Sequence, residues 1–167
     1  MKDMIDAQLS KVTMYRLVTL CLTSLLSLGA ILALTGYFAF SFVSLVISVT
    51  VLLASTYGSS RLFGYLFGVK PHGESSIITA LILACLFIPP VAAIGFVKLA
   101  LVGIFATASK YLLAVHGRHI FNPAAIATVI ASVTGVAFAG WWVATPALIP
   151  LTLVMTLTIL YKTKRME

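Results

Sequence analysis

Residues 77–90 read Ile-Ile-Thr-Ala-Leu-Ile-Leu-Ala-Cys-Leu-Phe-Ile-Pro-Pro, and this apolar stretch sets the class of fold. As a helix, Ile77–Ile88 would be only about 18 Å long, whereas the hydrocarbon core of a bilayer is about 30 Å thick. Neither Pro89 nor Pro90 can donate a backbone hydrogen bond, so the helix should end before them. A short apolar helix that ends at prolines is typical of broken or protein-buried helices in membrane proteins.

The composition of the whole chain agrees with a membrane location. Of its 167 residues, 61% are hydrophobic and 9% are charged, whereas an average soluble domain is about half apolar and about a quarter charged. This composition excludes a soluble enzyme, a disordered tail and a nucleic-acid-binding module. Cys21 and Cys85 both lie inside apolar runs, which argues against a disulfide framework or a metal site. We therefore expect an all-α integral membrane protein whose solvent is lipid.

Hydropathy outward from this stretch predicts about six transmembrane helices in one domain over residues 17–161. A cytoplasmic segment, residues 1–16, precedes them, and a cytoplasmic tail, residues 162–167, follows. We expect residues 57–75 to form a loop with a short amphipathic stretch in the membrane interface, and the Trp141-Trp142 pair to anchor the opposite interface. Whether the helix Ile77–Ile88 crosses the whole bilayer stays open. The predicted spans are 17–34, 37–56, 76–88, 94–115, 123–139 and 146–161.

The net charge of +7 predicts the orientation. With six crossings, both termini lie on one side, and ten of the eleven basic residues fall there, which is the pattern of cytoplasmic termini in a multi-pass protein of the inner (plasma) membrane. Lys98 is the exception, and it either snorkels to the outer interface or forms part of an electrostatic gate. The ten residues are Lys2, Lys11, Arg16, Arg61, Lys70, Lys110, Arg118, Lys162, Lys164 and Arg165.

Two helix starts on the cytoplasmic side mark a candidate site, one after Glu74-Ser75 and one after Asn122-Pro123. Ser75 and Asn122 are suited to be N-caps, and the unpaired N–H groups and positive dipole of each helix start favour an anionic ligand group. Basic side chains and histidines occupy the same layer. The other reading is that they only contact lipid headgroups. These side chains are Lys70, Lys110, His116, Arg118 and His119.

The same segments resemble a known family. The run from Glu74 to Pro90 resembles the pattern Asp-x-Ser-Ala-x-x-Thr-x-Leu-Leu-Leu-Ala followed by Leu/Ile-Pro-Pro, and Lys110 with the run Gly117–Ala125 resembles Gly-Lys, Gly-x-Asn/His-x-Phe-Asn-Pro-Ala. Together they look like the RnfD/NqrB family, the membrane subunits D and B of Rnf and sodium-translocating NADH:quinone oxidoreductase complexes. The resemblance covers residues 69–126. The chain looks like one repeat of that urea-transporter-like architecture, at about half the family length.

The resemblance implies a membrane subunit of a flavin-dependent electron-transport complex, coupled to Na⁺ or H⁺ translocation. It implies FMN or riboflavin as cofactor, and as partners other membrane or soluble subunits in a homodimer or hetero-oligomer, with no nucleic acid. Covalent FMN would need Thr145, although the family's Ser-Gly-Ala-Thr is Trp-Val-Ala-Thr here. The cofactor-binding residues would be Glu74, Ser75, Thr79, Lys110, Arg118, His119 and Asn122.

Two other functions fit the sequence without redox chemistry. The short proline-ended span and the basic residues Lys98 and Lys110 would also suit a small solute or ion transporter. A structural subunit that only anchors soluble redox partners is the third reading. We expect no catalytic residue of the kinds used in soluble enzymes and no metal ion.

Overall fold

The computed structural model describes residues 12–115 and 118–163, and the side chains of Val115, Arg118 and His119 are left out of the description. This part of the chain forms six α-helices, a pair of two-residue strands and one 3-10 turn, Pro146–Leu148. The helices are α1 (Met14–Leu34), α2 (Phe42–Leu66), α3 (Gly73–Leu86), α4 (Ala93–Leu112), α5 (Pro123–Val133) and α6 (Ile149–Lys162), with antiparallel strands β1 (Ala114–Val115) and β2 (Arg118–His119) between α4 and α5.

Polar caps and glycines set where several of these helices begin and end. Thr13 and Ser41 are the N-caps of α1 and α2, and their hydroxyl oxygens accept backbone N–H groups of the first turn, which is the usual role of such residues. Glycines with positive φ follow the ends of α1, α2 and α5, where a left-handed residue closes the helix. These are Gly36, Gly68 and Gly135.

Three helices have the length and apolarity to cross a membrane, namely α1, α2 and α4, with 21, 25 and 20 residues. At 1.5 Å per residue each is about 30 Å long or more, which matches the hydrocarbon core of a bilayer. The helices α3, α5 and the 3-10 turn with α6 are apolar but shorter. The prediction of an all-α fold is confirmed, and three helices among the described residues are long and apolar enough to span a membrane.

The predicted interfacial loop over residues 57–75 is wrong in its first half, because α2 continues to Leu66. Hydroxyl groups in this stretch are satisfied locally: Ser59 donates to the carbonyl of Ser55. Across the bundle, the Tyr111 hydroxyl donates to the carbonyl of Ser60 at 3.0 Å. Packing against α4 therefore keeps a glycine- and serine-rich segment helical despite its low helix propensity.

Other predicted boundaries shift by several residues. The second span begins at Phe42 rather than at residue 37, since Ser41 caps it. The fifth helix ends at Val133 rather than at residue 139, because Gly135 has a φ of +69°. The fourth helix is Ala93–Leu112 instead of 94–115. The prediction that α3 is short is confirmed, and it ends at Leu86.

Contacts near the helix ends divide the bundle into two ends. The rings of Tyr15 and His72 stack at 6.3 Å, so α1 and α3 start together, and Lys162 at the end of α6 donates to the carbonyl of Val12. Lys110 joins the end of α4 to the start of α3. We call this end, where most described charged residues lie, the basic end.

At the other end, aromatic rings surround the end of α3, and we call this the aromatic end. The Trp142 ring lies 5.2 Å from Phe38 and 5.0 Å from Phe40 in edge-on geometry. Its indole N–H donates to the carbonyl of Ala84 at 2.7 Å. Trp142 is buried and Trp141 is exposed, so the prediction of a paired interfacial anchor is wrong for Trp142, which belongs to the core.

The closest helix packing joins α2 to α4 through small residues. A Cβ added at Gly103 would lie 2.2 Å from the hydroxyl oxygen of Ser55, so the two backbones approach closely, as small residues permit in membrane helices. The Thr107 hydroxyl donates to the carbonyl of Gly103 at 3.0 Å and also reaches that of Thr56 at 3.3 Å. The closely packed helices α2 and α4 thereby determine the positions of α3 and Lys110.

Candidate functional site

The side chain of Lys110 joins the two sequence segments that carry the candidate site. From the last turn of α4, its Nζ donates to the carbonyl oxygen of Ser75 at 3.1 Å and to the Ser75 hydroxyl at 3.2 Å. The two residues are 35 positions apart in sequence. Lys110 is neither buried nor fully exposed, so its ammonium group lies at the edge of the protein interior rather than free in solvent.

Thr79 lies one turn further along α3 and shares the same acceptor. Its hydroxyl donates to the Ser75 carbonyl at 2.7 Å, so that one carbonyl oxygen accepts from both Thr79 and Lys110. Thr79 is buried. The three residues Ser75, Thr79 and Lys110 are therefore brought together, as the predicted site requires.

The predicted cap role of Ser75 is wrong. The N-cap of α3 is His72, whose side chain makes no capping hydrogen bond, and Ser75 lies inside the first turn. Glu74 occupies the same turn and is exposed. The first N–H groups of α3 thus lack a side-chain cap, and the nearby positive group is the ammonium of Lys110.

Asn122 is an N-cap, as predicted, with Pro123 at the first helical position of α5. Its Oδ1 accepts the N–H of Ala124 at 2.9 Å. The backbones of Arg118 and His119 form β2, which pairs with β1 directly after α4, so both residues lie between Lys110 and Asn122 along the chain. His116 lies outside the described residues.

Thr145 precedes the 3-10 turn and is set apart from the other site residues in the chain. Its hydroxyl oxygen is buried and has no hydrogen-bond partner among the described residues. It caps no helix with its side chain. A buried hydroxyl offers no access for the covalent attachment of a flavin phosphate, which argues against that role in this conformation.

Several contacts around Lys110 were not predicted. Tyr111 packs its ring against Phe63 and Phe67 at 5.8 and 5.7 Å, and its hydroxyl bonds the end of α2. The sequence signal for this cluster is the aromatic and glycine-rich run within residues 57–75, which local propensity alone predicts to be a loop. These rings fix the last turn of α4 and thereby the position of Lys110.

A cleft of about 850 Å³ lies alongside α5, and it includes one predicted site residue, Asn122. Ser75, Thr79 and Lys110 do not line it. Apart from Thr145, the predicted residues therefore fall in two places near the basic end, the Lys110–Ser75 junction and the start of α5. No group of three or more metal-ligating side chains occurs in residues 12–115 and 118–163 where side chains are described.

The donor set at the Lys110–Ser75 junction suits an anionic group better than a metal ion. An ammonium, a hydroxyl and uncapped helix N–H groups are all hydrogen-bond donors, which is the combination that binds phosphate or carboxylate oxygens. No protein-family model, curated protein or solved structure matches the chain.

Proposed function

We propose that this chain is a membrane subunit of a flavin-dependent electron-transport complex, coupled to Na⁺ or H⁺ movement. The observation that carries the proposal is the convergence of Lys110 on Ser75. Both residues belong to the sequence segments that resemble the RnfD/NqrB family. A common ligand site requires that different segments of the chain meet. Here two segments 35 positions apart meet at a group of hydrogen-bond donors.

The residues present could hold an anionic flavin such as FMN at the basic end. Lys110 and Ser75 would bind a phosphate or the ring's electron-rich edge, and Thr79 would hold Ser75 in place through its hydrogen bond to the same carbonyl. The resemblance adds Glu74, Arg118, His119 and Asn122 to the residues that would hold the cofactor. A bound flavin would supply one- and two-electron transfer.

The proposed setting is the inner (plasma) membrane with the basic end facing the cytoplasm. The charge distribution supports this orientation. Lys98, the sixth residue of α4, is the one described basic residue that lies toward the aromatic end. Other membrane or soluble subunits would supply the electron donor and acceptor, in a homodimer or hetero-oligomer.

A purification with co-expressed partner subunits tests the proposal. We expect the purified complex to show the visible absorbance of a bound flavin. We expect Lys110→Met to lower flavin retention by roughly tenfold or more, since hydrogen bonds to charged groups contribute about 1.5–3 kcal/mol. Lys98→Met is the matched control, because Lys98 is exposed on the same helix. Wild-type complex without any flavin would refute the proposal.

A small solute or ion transporter without redox chemistry is the second candidate. The observation in its favour is that α3 and α5, with 14 and 11 residues, both start toward the basic end and are too short to span as helices, a feature of transporters with discontinuous helices. Uptake by proteoliposomes that contain this chain alone would favour it, whereas flavin-dependent activity that is lost in Lys110→Met would exclude it.

A further inference from the structure

The cleft alongside α5 has walls from four helices and from the chain that follows α5. The walls come from α1, α3, α5, the segment 139–144 and the start of α6. Almost all of the lining side chains are apolar, among them Leu22, Leu25, Ile82 and Leu153. None of the residues of α6 is buried, so this helix forms an outer wall of the cleft. The volume of about 850 Å³ falls within the range of ligand-binding pockets.

The two hydroxyl groups that line the middle of the cleft are both already hydrogen-bonded. The hydroxyl of Thr128 donates to the carbonyl of Ala124 at 2.8 Å, and that of Thr152 to the carbonyl of Leu148 at 2.9 Å. Each hydroxyl is thus satisfied within its own helix. A ligand that fills the middle of this cleft must be apolar along its length, because a polar group there would lose its hydrogen bonds to water without replacement.

The two ends of the cleft differ from its middle. At one end lies Asn122, which is exposed and whose side-chain amide donates to no other described residue. At the other end lies Trp141, exposed and held at a φ of +36°. A non-glycine residue with positive φ is strained, and such strain is concentrated at ligand sites. Trp141 is held in this position because its backbone N–H donates to the carbonyl of Leu86 at 2.9 Å.

The charge of the neighbouring sequence distinguishes the two ends. Arg118 and His119 directly precede the Asn122 end, and no charged residue or histidine occurs from residue 120 to residue 161. The Asn122 end is therefore next to cationic groups in the chain, while the Trp141 end has none in its neighbourhood of sequence. Basic pockets between membrane helices are suited to anionic lipid headgroups.

We propose that the cleft binds one acyl chain of an anionic phospholipid, with the headgroup at Asn122 and the end of the chain toward Trp141. An acyl chain in such an apolar site gains dispersion contacts with walls that would otherwise face a void. The site does not depend on flavin and shares with the flavin proposal only Asn122 and the neighbouring Arg118 and His119.

Titration of delipidated protein, followed by native mass spectrometry, tests this assignment. We expect one phosphatidylglycerol to bind with saturation, and phosphatidylcholine of the same acyl chains to bind at least tenfold more weakly. Equal binding of the two lipids would overturn the headgroup assignment. The absence of any saturable lipid in the wild-type protein would overturn the site, and this arm needs no variant.

A pair of matched variants locates the site. Ala125 lines the cleft and is exposed, so Ala125→Phe should fill it and lower phosphatidylglycerol affinity by tenfold or more. Ala54 is an exposed helical alanine that does not line the cleft, and Ala54→Phe should bind lipid as the wild type does. Unchanged affinity in folded Ala125→Phe would overturn the proposal. A wild-type dimer that Ala125→Phe dissociates would assign the cleft to a second copy instead.

Discussion

The indole N–H of Trp142 donates to the main-chain carbonyl of Ala84 at 2.7 Å, across 58 positions of sequence. The neighbouring N–H groups of Gly140 and Trp141 both donate to the carbonyl of Leu86 at 2.9 Å. The last carbonyls of a helix have no partners within it. The chain after α5 therefore supplies the missing donors for a helix that ends within the protein.

The variant Trp142→Phe should lower the free energy of unfolding by about 1–3 kcal/mol, the cost of leaving a buried acceptor unpaired. Phenylalanine would keep the edge-on ring contacts with Phe38 and Phe40. Thermal unfolding in mild detergent measures the loss. Trp141→Phe is the control and should change stability by less than about 0.5 kcal/mol, as is usual for exposed positions; equal losses in both variants would contradict the role of the hydrogen bond.

The variant Gly103→Ala should destabilise the α2–α4 pair, because the added Cβ would lie 2.2 Å from the Ser55 hydroxyl oxygen. Overpacking of this kind costs about 1–3 kcal/mol, which equals or exceeds the gain of roughly 1 kcal/mol in helix propensity. We expect Ser55→Ala in the same chain to restore part of the loss.

Gly58→Ala provides the comparison for this change, since no atom lies within 4 Å of a Cβ at that position of α2. It should leave stability unchanged or raise it by up to about 1 kcal/mol. If Gly103→Ala behaved like Gly58→Ala in the same unfolding assay, the close approach of the helices would not constrain residue 103.

The variant Thr145→Val should keep stability unchanged or raise it by about 1 kcal/mol, because the buried hydroxyl that it removes has no partner among the described residues. Thr107→Val should instead cost about 0.5–1.5 kcal/mol, since that hydroxyl is hydrogen-bonded. We also expect the intact mass of the purified chain to show no covalent flavin. A flavin-sized mass increase at Thr145 would overturn the expectations for Thr145→Val and for the intact mass.

The variant Asn122→Ala should lower stability by about 1 kcal/mol through the loss of the α5 cap, and Asn122→Ser should restore it. Stability and ligand binding can be separated with these two variants. If the Asn122 amide also binds a headgroup, Asn122→Ser should fold like the wild type but bind phosphatidylglycerol less tightly. Loss of stability in Asn122→Ser equal to that in Asn122→Ala would contradict the cap.

The sequence predicted the features that depend on local chemistry. Asn122-Pro123 has a cap side chain beside a residue without an N–H, and this local pattern needs no tertiary contact to be recognised. The break between the first two predicted spans, at Thr35-Gly36, and the shortness of α3 were predictable for the same reason. The contact between Ser75 and Lys110 could be anticipated only from the predicted topology, which places the start of α3 and the end of α4 on the same side.

Tertiary packing determined what the sequence could not show. Residues 57–66 have glycines and serines that favour a loop locally, yet Tyr111 holds them as helix. Trp142 has the amphipathic chemistry of an interfacial residue, and only the position of the Ala84 carbonyl draws it into the core. The helix α5 ends early because Gly135 adopts a positive φ. An apolar run in the sequence does not show that a glycine within it will adopt this conformation.

The contact between Lys162 and the carbonyl of Val12 joins positions 150 residues apart, and α6 packs mainly against α1. During synthesis α1 is therefore made long before the helix that covers its side. Contacts of such large sequence separation form late and slow the completion of a fold. The side of α1 that faces α6 therefore has no partner within this chain until α6 has been made.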